Sequence, residues 1–112
     1  MITSGWLLRD GEVLAAVEVA EGFRDRSRGL LGREGIDGAL LLRPARSVHS
    51  LGMKFTLDVA FCDSDLTVVR TVCLRPGRIT RPLLRSGCVL EAECGAFDRW
   101  RLRPGDKLEV RT

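Results

Sequence analysis

Residues 55–74 constrain the fold of this chain more than any other stretch. Phe55, Leu57, Val59 and Phe61 alternate with Thr56, Asp58, Ala60 and Cys62, and a second run rich in β-branched residues follows at 66–74. Alternation at period two sends successive side chains to opposite faces, and Asp63-Ser64-Asp65 supplies turn chemistry between the runs. Together they predict a β-hairpin. Setting Cys62 across from Leu66 places Asp58 opposite Arg70 and Phe55 opposite Cys73. In that register Asp58 gains an ion-pair partner on its own face, and Cys62 and Cys73 are not neighbours. A slip of one residue would undo both.

Other segments repeat the β theme. Residues 12–20 read as a strand, with Trp6 to Leu8 as its hairpin partner through the turn dipeptide Asp10-Gly11. After Gly22 the pattern changes, and Phe23, Leu30 and Leu31 fall at helical spacing, which predicts one short helix ended by glycine. The apolar run at 39–42 stops at Arg43-Pro44, and 48–52 reads as an extended link or edge strand. A basic connection begins at Arg75-Pro76-Gly77, a strand follows at 88–94, and a helical turn at 96–102 carries Phe97 and Trp100. Arg103-Pro104-Gly105-Asp106 then turns into a last strand at 107–111. Leu-Arg-Pro-Gly occurs at 74–77 and again at 102–105, but nothing around it repeats, so it marks turns rather than duplication. The pattern predicts a mostly β (α+β) fold: a small compact β-barrel or strongly curved antiparallel sheet of about six or seven strands, with one or two short helices.

At 112 residues and 45% hydrophobic content the chain can bury one core, so a single domain over 1–112 is expected without a disulfide or metal staple. The start lacks a basic segment followed by a long apolar run, and no later stretch approaches a membrane span. A cytoplasmic protein with no membrane partner is the expectation. Cys62, Cys73, Cys88 and Cys94 show no C-x-x-C spacing and sit in apolar runs, so they are read as small buried thiols, with no metal and no cofactor.

The charge is unevenly laid out. Lys54 and Lys107 are the only lysines among 18 basic residues, and no acidic residue lies between Asp65 and Glu91, where Arg70, Arg75, Arg78, Arg81 and Arg85 fall. Arginine suits carboxylate and phosphate, which makes this the most anion-friendly stretch. The 75–85 connection has no aromatic side chain for base stacking, so nucleic acid is an unlikely partner and any such binding would be weak backbone electrostatics.

Residues 48–61, Val-His-Ser-Leu-Gly-Met-Lys-Phe-Thr-Leu-Asp-Val-Ala-Phe, carry a Gly-Met-basic group followed by an apolar-Asp-apolar group. This resembles the signature of the domain-of-unknown-function 192 family. Arg28-Gly29-Leu30-Leu31-Gly32-Arg33, the Val89-Leu90-Glu91 segment ending at Gly95, and Gly105-Asp106 resemble further elements of that family in the same order. Many members resemble an aromatic-Trp-Met-Lys-Asn-Thr version, whereas this chain has His49-Ser50-Leu51-Gly52-Met53-Lys54. The resemblance covers nearly the whole chain and brings no established activity with it.

His49 is the only histidine, which excludes a multi-histidine metal site. Met53 reads as core filler, and Asp58, on an apolar strand, needs a partner to stay ionised. The polar residues of the two motif segments, Arg28, Arg33, His49, Ser50, Lys54 and Asp58, are the candidate ligand-binding set. They point to a non-catalytic binding module for a small anionic ligand or a protein partner. A hydrolase-type enzyme using His49, Ser50 and Asp58 is the alternative, with weak nucleic-acid binding through the 75–85 connection as a third reading.

Overall fold

The computed structural model describes residues 2–22, 30 and 32–112. In chain order the elements are β1 (Ile2–Arg9), β2 (Glu12–Ala20), β3 (Ala39–Leu42), β4 (Leu57–Cys62), β5 (Val68–Leu74), β6 (Cys88–Glu93), α1 (Ala96–Trp100) and β7 (Glu109–Arg111). The strands form one sheet in the order β5-β4-β6-β3-β2-β1-β7. Every neighbouring pair is antiparallel except β2 and β3, so the sheet is mixed. The β1–β2 turn is the expected one: Asp10 and Gly11 both take positive φ, 53° and 80°, as a two-residue hairpin turn of type I′ geometry requires. The helix expected at 23–31 lies outside the described residues but for Leu30, and α1 takes up the expected helical turn.

Both faces of the sheet are covered, which explains the unbroken apolar run of β3. Leu41, with Leu7, Val17 and Leu90, belongs to one core cluster, where Phe97 of α1 also packs. Its neighbour Leu40 belongs to the other, with Leu57, Val59, Phe61 and Val89. A strand buried on both sides cannot alternate in polarity.

Two expectations fail here. The sheet does not close into a barrel, because β5 and β7 are its edges with no continuous ladder between them. The segments leading into β5 and β7 meet at one end, through the isolated bridge Thr67↔Lys107 and the bonds from Val68 N–H to the Asp106 carbonyl, Gly105 N–H to the Val68 carbonyl and Leu108 N–H to the Leu66 carbonyl. The β4–β5 register is also not the expected one. Asp58 faces Cys73, Phe61 faces Arg70 and Cys62 faces Val68, with a bulge between Phe61 and Cys62. The turn and the bulge are the cause together: Asp63 Oδ1 accepts the N–H groups of Asp65 and Thr67 and Leu66 takes φ 66°, so the longer connection moves the pairing by two residues, and the bulge between Phe61 and Cys62 adds a third. The displacement is odd in residue count, so Arg70 moves to the face opposite Asp58 and their ion pair does not form. No helix among the described residues is long and apolar enough to cross a membrane.

Candidate functional site

The signature segment is held by the arginine-rich connection. His49 bridges Ile79, and Ser50, fully buried, donates its hydroxyl to the Arg75 carbonyl at 2.5 Å while accepting the Arg78 N–H at 2.9 Å. Thr80 Oγ1 donates to the Val48 carbonyl at 3.1 Å and accepts the Val48 N–H at 2.9 Å. Ser50 is therefore a clasp between two loops. Its hydroxyl is engaged with backbone, and His49 Nδ1 accepts the Leu51 N–H at 3.2 Å rather than meeting Ser50. Arg33 pairs with Glu18 at 3.0 Å on the surface, Lys54 is exposed, and Arg28 lies outside the described residues.

This clasp shapes a groove of about 250 Å³ beside the edge strand β5. Phe61, Val72, Leu74 and Leu83 give it an apolar floor, and Arg70 and Arg81 are in its wall, while no carboxylate contributes to the lining. Neither arginine has an ion-pair partner among the described residues. The register explains the composition: Arg70, Val72 and Leu74 alternate along β5 on the face that also carries Phe61 and Leu57. The sequence shows the acid-free stretch, but only the register brings Arg70 beside Phe61.

Asp58 and two cysteines meet on the opposite face. Asp58 Oδ2 accepts the N–H groups of Gly95 at 2.9 Å and Phe97 at 3.1 Å, so a β4 carboxylate caps α1, whose own N-cap is glycine with φ 97° and no side chain to do so. Cys73 and Cys94 are exposed, contrary to the expectation of four buried thiols, because one lies on the outer strand and the other just past the end of β6. Cys62 and Cys88 are buried and face each other across β4 and β6. A hydrogen bond with Cys88 and burial push the Cys62 thiol far up, which leaves it inert. A hydrogen bond with Cys73 pushes the Cys94 thiol up as well.

Glu91, on β6, lies outside the candidate ligand-binding set read from the motifs. It is 3% exposed, stands between Leu40 of β3 and Val59 of β4, and its carboxyl has no hydrogen-bond partner among the described residues. Burial pushes its pKa up to about 7. In an alternating strand such a glutamate reads as the solvent side, and only a sheet covered on both faces makes it a buried proton carrier.

Residues 6–110 match the family DUF192, Uncharacterized ACR. A UPF0127 protein of Pyrococcus abyssi is 32% identical over 98 residues, covering 83% of this chain and 84% of the relative. Another from Pyrococcus horikoshii is 29% identical over 98 residues, with 83% and 85% covered. Among solved structures, one named "putative transcription regulator" from Sinorhizobium meliloti 1021 is 25% identical with a TM-score of 0.78, covering 98% of this chain and 94% of that one. A protein of unknown function from Novosphingobium aromaticivorans DSM 12444 shares the fold at 20% identity, TM-score 0.78, with 96% and 84% covered.

Proposed function

The chain belongs to the DUF192 family, and from that premise we propose that it is a non-catalytic binding module for a small anionic ligand with an apolar body. One observation carries the reading: an apolar-floored groove whose wall holds Arg70 and Arg81 and no carboxylate. Arginine offers a planar fork for a carboxylate or phosphate, and the floor rewards a hydrocarbon or aryl group. At about 250 Å³ the groove suits a ligand smaller than most drugs. The hydrolase reading has less support, since the Ser50 hydroxyl serves as a clasp and Asp58 serves as a helix cap.

The test is a thermal-shift titration with benzoate, hexanoate and phenyl phosphate, with hexanol as the neutral control. The anions should raise the midpoint, by the equivalent of about 2.7 kcal/mol at a hundredfold excess over Kd, and hexanol should not. Arg70→Ala and Arg81→Ala should each abolish the gain at physiological salt. Absence of any shift, or equal shifts in the variants, would overturn the reading.

A second reading, nucleic-acid binding, is favoured by the name of the Sinorhizobium structure and by the exposed Arg75, Arg78, Arg81 and Arg85. It predicts retention of a short oligonucleotide that weakens steeply with salt and is insensitive to Arg70→Ala.

A further inference from the structure

Asp58, Cys73 and Cys94 lie on three separate parts of the chain, in β4, in β5 and just beyond β6. Their ligating atoms, one carboxylate oxygen and two sulfurs, all lie within 4.8 Å of one another. Two features of the fold produce this. The observed register sets Asp58 directly opposite Cys73, and the bonds from the Gly95 and Phe97 N–H groups to Asp58 Oδ2 draw the chain after β6 toward the same carboxylate. Those bonds engage Oδ2 and leave Oδ1 without a partner among the described residues. Both thiols are exposed, so an ion from solvent can reach them.

We propose that Asp58, Cys73 and Cys94 form a binding site for a thiophilic divalent cation of the zinc class, on the face of β5 opposite the groove side chains Arg70, Val72 and Leu74, with Cys73 common to both linings. Two thiolates and one carboxylate are three ligands of a tetrahedral site, with water in the fourth position. In such a site ligating atoms stand about 3.8 Å apart, given zinc–sulfur bonds of about 2.3 Å. The cluster needs only rotation or a small approach of side chains to reach that spacing. The mixed donor set decides the class of metal: a carboxylate disfavours copper(I), which prefers sulfur alone, and two thiolates disfavour magnesium and calcium. Asp58 is a ligand oriented in advance, because the helix N–H groups fix its plane. On binding, each thiol gives its proton to solvent.

Cobalt(II) is the probe, because its tetrahedral thiolate complexes absorb by sulfur-to-metal charge transfer and by intense visible bands. Titration of the reduced full chain should saturate at one cobalt per chain, zinc(II) should erase the spectrum, and magnesium should leave it unchanged. Cys73→Ser and Cys94→Ser, both at exposed positions, should each weaken cobalt binding and at least halve the charge-transfer band, and the double variant should abolish it. Asp58→Asn keeps an oxygen to accept from α1 and should weaken binding while the circular dichroism stays as in the parent. Retention of the band in the double variant would assign the signal to Cys62 and Cys88 and overturn the proposal, as would an undiminished band in either single variant. So would absence of the band, or saturation at half a cobalt per chain.

Discussion

Glu91 is a carboxyl placed where its charge is costly, and the consequence is a pH-dependent stability. Unfolded, it ionises near its ordinary value of 4.5; folded, it holds its proton to about 7. Between these values the folded state binds the extra proton, so stability is greatest below 4.5 and falls as pH rises through 7. The shift corresponds to about 3 kcal/mol lost across that window. Glu91→Gln carries no ionisable group and should show a flatter urea-midpoint profile between pH 5 and 8, with a higher midpoint than the parent at pH 8. Parallel profiles for the two proteins would assign the pH dependence to other groups. Ser50 shows the opposite case, a buried hydroxyl whose partners are all supplied by backbone, which is why it is tolerated at full burial.

At the scale of elements, the β4–β5 connection decides which side chains meet. Alternation alone makes the hairpin visible, but several registers satisfy it, and the count of turn residues together with the bulge between Phe61 and Cys62 selects among them. Asp63 sets the turn's share of that selection with two side-chain hydrogen bonds, to the N–H groups of Asp65 and Thr67. Asp63→Ala should cost about 1–3 kcal/mol in urea denaturation, as expected for lost bonds to a charged acceptor. Cross-strand proton contacts between Asp58 and Cys73 should be observed by NMR in the parent chain, whereas contacts between Asp58 and Arg70 would refute the register. The short helix α1 likewise depends on a distant residue: Asp58, 37 residues before Gly95, supplies the cap. Sequence spacing gives no sign of such a pairing.

Over the whole molecule the sheet serves as the middle layer between two apolar clusters, and β3 contributes to both. Leu40 and Leu41 are consecutive, 1% and 0% exposed, and face opposite sides. Leu40→Ala and Leu41→Ala should each destabilise the protein by about 2–5 kcal/mol in denaturant melts. A sheet with one solvated face would lose stability at only one of the two. Arg9 adds a long-range tie, donating to Asp106 at 2.9 Å and to the Trp100 carbonyl at 2.5 Å, so the first strand holds the end of α1 and the last turn.

The sequence by itself determined the β character, the two hairpins, the helical turn at 96–102, the family and the acid-free arginine stretch. These follow from local alternation, turn dipeptides and residue order, which are properties of neighbours along the chain. Sheet order, the open edges, the cap on α1, the burial of Glu91, and the meetings of Arg70 with Arg81 and of Asp58 with Cys73 and Cys94 were decided only by the tertiary structure. Each joins residues from separate strands or loops, and between β4 and β5 the register is set by a turn length and a bulge that alternation cannot specify. The candidate set read from the motifs accordingly included Asp58 but not its cysteine neighbours, and Ser50 emerged as a clasp. A strand pattern assigns residues to two faces, whereas depth, partners and charge at each face come from what packs upon it.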